Sequence, residues 1–173
     1  MKKKLIIWLL MVCLLLTGCK NEAPEDTKKA LDPVMVDALS AAINAHIQEE
    51  ITAGDDLPLM IQYNNELLSC ISFRILDFNR SDGAMMVEFT YVDALKLADS
   101  FTDPNLTQEG FYTGSIEALR SGNFETITEK ISISFEDTGA GYVIRNCDAL
   151  VNVLSGGTLY YYMELLEDAG YGE

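Results

Sequence analysis

The sequence predicts an α+β domain in which helices pack on one face of a curved antiparallel sheet. Three observations carry this expectation. Apolar residues recur at helical spacing at the start of the domain, the period drops to two in two separate stretches, and turn-rich segments join the strands within each stretch. Residues 33–173 are enough for one domain with its own core, and no internal repeat divides them.

The first element opens with Asp32, a residue type that caps helices, and Pro33, which suits a first turn. Val36, Leu39, Ile43 and Ile47 then follow at helical spacing, so an amphipathic helix is expected from about 33 to 52, with Gly54 beyond it. Ile71, Phe73 and Ile75 alternate with other residues, as do Met85, Val87, Phe89 and Tyr91. The turn-rich run Asn79-Arg80-Ser81-Asp82-Gly83 lies between them, which reads as a hairpin. A helix from about Thr107 to Arg120 presents Phe111, Ile116 and Leu119 and stops at Gly122, although Gly110 and Gly114 weaken it. Ile127, Ile131, Ile133 and Phe135 alternate with Thr and Ser, and Gly139-Ala140-Gly141 turns the chain into Tyr142-Val143-Ile144, a second hairpin. Two short helices are expected at the end, Asp148 to Leu154 and Thr158 to Ala169, split by Gly156-Gly157.

Ahead of the domain, Lys2, Lys3 and Lys4 precede an uncharged apolar run from Leu5 to Leu16. This is the layout of an export signal, and the run is too short to span a bilayer, which takes roughly 20 apolar residues. Leu16-Thr17-Gly18-Cys19 follows and resembles the lipobox of bacterial lipoproteins. Thr17 and Gly18 are small enough for a peptidase to close on the bond ahead of Cys19, and a thiol is the nucleophile that a lipid donor requires. The resemblance implies a signal peptide over 1–18, a palmitate-type diacylglyceryl anchor on Cys19, and a place on the extracytoplasmic face of the cell membrane. Two acyl chains give stable anchoring where one is marginal. The polar, mixed-charge segment 19–32 reads as a flexible tether, and Cys13, inside the apolar run, as a small hydrophobe.

Removing residues 1–18 takes three of the 12 basic residues and none of the 27 acidic ones, which leaves nine against 27, a formal charge of −18. Nucleic acid is thereby disfavoured as a partner, and an anionic bilayer would repel the domain, so the membrane is met through the lipid.

The stretch ISISFEDTGAGYVIRNCDALVNVLSGG, with the preceding ALRSGNFETITEK, resembles the C-terminal half of small lipoproteins of Gram-positive bacteria with an NTF2-like (cystatin-like) fold. Glu136-Asp137-Thr138-Gly139, Tyr142 with Ile144, and Leu150 to Gly157 occupy the places of that family's acidic-glycine turn, strand-opening aromatic and glycine-paired segment. Tyr142 stands where members often carry tryptophan, and the tail after Gly157 is longer. The resemblance implies a cone whose open end can hold a small ligand, and some relatives use an Asp and a Tyr there for proton transfer.

Tyr91 and Asp93 are the candidates for such a pair, which would make the chain a small isomerase or dehydratase. The alternative places Tyr91 in the core and Asp93 as a cap at the strand end. His46 has no Cys or His at ligand spacing, and Glu49-Glu50, Asp55-Asp56 and Glu167-Asp168 lack the alternation of a calcium loop, so no metal or cofactor is expected. No nucleophile-elbow serine and no phosphate-binding glycine loop occurs. Cys70, placed on a strand, and Cys147 are candidates for a disulfide outside the cytoplasm, and equally for small buried hydrophobes. Three consecutive tyrosines, Tyr160, Tyr161 and Tyr162, cannot all face one core from a helix, which marks them as a candidate contact site. The expected function is a lipid-anchored, non-catalytic binding or interaction module; an accessory subunit of an envelope or transport complex is the remaining alternative.

Overall fold

A computed structural model describes residues 31–169. The signal segment, Cys19 and the tether up to Ala30 lie outside the described residues, as do residues 170–173. Helix α1 (Pro33–Glu50) begins where the sequence places it: the Asp32 carboxylate accepts from the Val34 amide at 3.1 Å, and Pro33 occupies the first turn. Its buried stripe is Met35, Leu39, Ala42, Ile43 and Ile47, and the backbone turns extended at Ile51. Helix α2 (Leu59–Ser69) follows, an element the sequence did not announce. Strands β1 (Ser72–Asn79) and β2 (Ala84–Val92) form the first hairpin. Short helix α3 (Ala94–Asp99) and longer helix α4 (Gln108–Ser121) come next; Thr107 caps the latter and left-handed Gly122 ends it. Strands β3 (Thr126–Asp137) and β4 (Tyr142–Arg145) form the second hairpin, and helices α5 (Asp148–Leu154) and α6 (Thr158–Asp168) complete the order.

The four strands form one antiparallel sheet in the order β1-β2-β3-β4. Cross-strand pairs Phe73 with Phe89, Val87 with Ile131, Met85 with Ile133 and Phe135 with Ile144 put the alternating apolar residues on one face. A bulge between Ile75 and Asp77 lets Phe78 rejoin that face opposite Met85. Helix α1 packs against β4, and α5 packs against β2 and β3, so the apolar face is covered. The other face stays in water: Arg74 and Lys130 flank Glu88 at 2.7 and 3.9 Å, and Thr90 meets Thr128 at 2.9 Å. Those exposed ion pairs contribute at most about 1 kcal/mol each, whereas each fully buried Leu, Ile, Val or Phe contributes about 1.5–3 kcal/mol. Leu39, Val87 and Phe89 are completely buried at the centre, and Leu39→Ala would cost about 2–5 kcal/mol.

A second, smaller cluster gathers Leu67 from α2, Val92 at the end of β2, Ala94 and Leu97 from α3 and Leu119 from α4. Gly156 fastens α5 to this cluster: its carbonyl accepts from the Ala94 amide at 3.0 Å, and a Cβ on it would lie 2.7 Å from the Ala94 Cβ. Among the described residues, no helix is long and apolar enough to cross a membrane.

Candidate binding cleft

Tyr91 and Asp93, the pair considered for proton transfer, take different local roles, although the Asp93 charge still adds to the raised pKa of the Tyr91 phenol. Tyr91 is only 1% exposed, on the inner face of β2. Asp93 ends that strand, and its carboxylate accepts from the Lys96 amide at 3.0 Å as the cap of α3. The residue that does face Tyr91 is Glu129. It occupies an inward position of β3, between Ile127 and Ile131 and opposite Phe89, and its Oε1 is buried without a hydrogen-bond partner. Burial, followed by the Glu129 carboxylate, pushes the Tyr91 phenol well above its ordinary range. Sequence reasoning missed Glu129, whose one trace is its place as an acid inside the alternation Ile127, Ile131, Ile133, Phe135.

Cys70 is not on a strand. It terminates α2 and packs beside the smaller cluster, whereas Cys147 precedes α5 and packs beside the main core. Both carry free thiols, and burial raises the Cys70 pKa. His46 is half-buried on α1, with Nε2 2.9 Å from Asn146 Oδ1, so it ties α1 to the segment between β4 and α5. Among the described residues, no group of three or more His, Cys, Asp or Glu side chains could hold a metal ion.

The three tyrosines of α6 point in three directions, as steps of about 100° around a helix require. Burial, and then the charges of Glu129 and Asp148, raise the Tyr160 pKa. The Tyr161 and Tyr162 rings meet edge to face, with centroids 5.7 Å apart. Tyr162, 58% exposed, lines a cleft of about 610 Å³ bounded by all six helices. The same cleft is lined by Tyr63 of α2 and Phe111 and Tyr112 of α4, with centroid separations of 6.2 Å for Tyr63–Phe111, 5.7 Å for Tyr63–Tyr112 and 5.5 Å for Phe111–Tyr112. Burial pushes the Tyr63 phenol up to about 12, with Tyr112 and Tyr162 adding to the shift, so it stays neutral near pH 7. Leu67, Leu68 and Ala94 also line the cleft, and Asn64, Asn146 and Thr158 add polar groups to its wall.

This volume and lining could seat a small ligand: an open cleft walled by aromatic and apolar side chains, with several polar groups to orient what enters. Two other clefts are less suited. One of about 660 Å³ between α3 and α4 holds Lys96, already paired with Glu125 at 2.6 Å, and one of about 480 Å³ holds Arg120, already paired with Glu66 at 2.6 Å. Tyr91 and Asp93 line none of the three. No protein-family model, curated protein or solved structure matches the chain.

Proposed function

We propose that this chain is a lipid-anchored binding module of the extracytoplasmic membrane face, in which a domain of NTF2-like type holds a small ligand in the aromatic cleft and does no chemistry on it. The observation that carries the reading is the cleft itself: four rings from α2, α4 and α6 line one space, and Glu50 is the one charged residue on its wall. An enzyme of the isomerase type built on Tyr91 and Asp93 would need that carboxylate aimed at the bound substrate, and Asp93 is instead engaged in capping α3 and does not line the cleft. Anchoring is supported by Leu16-Thr17-Gly18-Cys19 after a charged and then apolar start.

The two halves of the proposal have separate tests. Cells expressing the chain with a clickable palmitate analogue should label it, and Cys19→Ala should abolish the label; a labelled Cys19→Ala chain would refute the anchor. A thermal-shift screen of small solutes should find compounds that raise the melting temperature, and Tyr162→Ala should erase their effect. Stabilising compounds indifferent to Tyr162→Ala would place the ligand elsewhere.

A further inference from the structure

The wall of the cleft carries a charge pattern as well as rings. Glu50, its only charged lining residue, is the last residue of α1, with Glu49 beside it. The end of a helix concentrates the negative partial charge of its unpaired carbonyls, so acids there are unfavourable by about 0.3–1 kcal/mol, and the last turn of α1 contains no basic residue. Glu50 has no ion-pair partner among the described residues, although Lys96, Arg120, Arg74 and Lys130 all find acids elsewhere. Tyr63, Phe111, Tyr112 and Tyr162 line the same cleft, and an aromatic ring attracts a cation placed over its face. The cleft thus combines one carboxylate, no basic lining residue and four aromatic rings, on a domain whose acids already outnumber its bases.

We infer that the aromatic cleft takes an organic cation, an alkylammonium group seated among Tyr63, Phe111, Tyr112 and Tyr162 with Glu50 as its counter-charge. The inference rests on the cleft being the binding site and adds the chemical class of what enters. A neutral apolar ligand would leave the charge at the end of α1 uncompensated, and an anion would be repelled by it. The alkylammonium could belong to a free solute or to a lysine side chain of a protein; both present the same group.

The test is isothermal titration calorimetry on the full lipidated chain in nanodiscs free of choline lipids, with choline and its neutral isostere 3,3-dimethyl-1-butanol as probes. Choline should bind about tenfold more tightly than the alcohol, the scale of a partly desolvated cation–ring contact. Tyr162→Leu, which keeps apolar bulk but removes the ring, should weaken choline binding several-fold. Tyr162→Phe should leave it within about twofold, and Glu50→Gln should narrow the gap between choline and the alcohol. A short peptide carrying one trimethyllysine separates the sources: tighter binding than choline assigns the cation to a protein partner, weaker binding assigns it to a solute. Equal affinity for choline and the alcohol would overturn the cation while leaving a binding cleft. No saturable binding of choline or of the peptide would overturn the inference outright.

Discussion

Gly156 gives a quantitative test of how the cleft is built, because it lies between α5 and the Tyr162-bearing α6 and packs on Ala94, the α3 residue that lines the cleft. Its φ of +66° lies in the left-handed region, where a side chain costs roughly 1–2 kcal/mol. A Cβ there would also sit 2.7 Å from the Ala94 Cβ and 3.2 Å from the Val92 carbonyl oxygen, neither of which can swing aside. Forcing an extra methyl into such a contact costs about 1–3 kcal/mol. Gly156→Ala should therefore lose about 2–5 kcal/mol, a large share of the roughly 5–15 kcal/mol that holds a domain of this size. At about 2–4 °C per kcal/mol the melting temperature should fall by roughly 5–20 °C. Two controls separate the contributions. Gly122→Ala meets nothing within 4 Å but keeps a φ of +73°, so it should show the backbone cost alone, about 1 kcal/mol. Gly141→Ala has neither problem and should stay within about 0.5 kcal/mol of the parent. Urea unfolding followed by circular dichroism ranks the three. If Gly156→Ala were no worse than Gly122→Ala, the close packing of Gly156 on Ala94 would be wrong.

Other expectations concern single groups. Tyr63 keeps its proton up to about pH 12 when folded but loses it near 10 when unfolded, so the stability it contributes is complete below pH 10 and declines between 10 and 12; absorbance titration at 295 nm should lose a late step in Tyr63→Phe. The Gly139 amide and then Arg80 hold the Asp137 carboxyl below its usual value, so its contribution is present above about pH 4 and disappears as pH falls through the lower folded value; acid unfolding curves of the parent and Asp137→Asn should converge at the lowest pH. After burial, the Glu129 carboxylate raises the pKa of the Tyr91 phenol through its charge and its hydrogen bond, so the Tyr91 step of the 295 nm titration should move to lower pH in Glu129→Gln, and an unmoved step would show that the carboxylate does not reach the phenol. Because Cys70 and Cys147 are free, a reducing agent should leave the melting temperature unchanged, and a drop would reveal a bridge between them.

Elements with one strong period were legible from the sequence. The helix expected from 33 to about 52 is Pro33–Glu50, and the helix expected from Thr107 to Arg120 is Gln108–Ser121, ended by Gly122 as anticipated. Both hairpins and both terminal helices fall where their alternation and glycines put them. Helix α2 was not legible: it starts after Pro58 with no side-chain cap, and its Leu, Met, Ile and Tyr residues are interleaved with Gln62, Asn64 and Asn65. That omission extended the strand backward to include Cys70. Helix α3 has only six residues, less than two turns, and its period is too short to register.

The site was less legible than the fold, for a physical reason. Tyr63, Phe111, Tyr112 and Tyr162 lie on three helices far apart in the chain, and only the packing of those helices makes them neighbours. The tyrosine run on α6 did stand out, because no helix can bury three consecutive rings, and Tyr162 is the member that reaches the cleft. Tyr91 and Asp93 drew notice as adjacent chemistry, yet a strand end turning into a helix cap points them to different tasks. Glu129 was hidden by its apolar neighbours, which make a strand read as core regardless of one acid within it.

The most direct test of the account is fluorine nuclear magnetic resonance of the chain labelled with 3-fluorotyrosine, titrated with choline. Tyr63, Tyr112 and Tyr162 should shift together along one saturation curve, while Tyr142, packed edge-on against Phe135 on the sheet, should stay fixed. Shifts at Tyr142 or Tyr160 without shifts at the cleft tyrosines would contradict the claim that this cleft is where the protein binds.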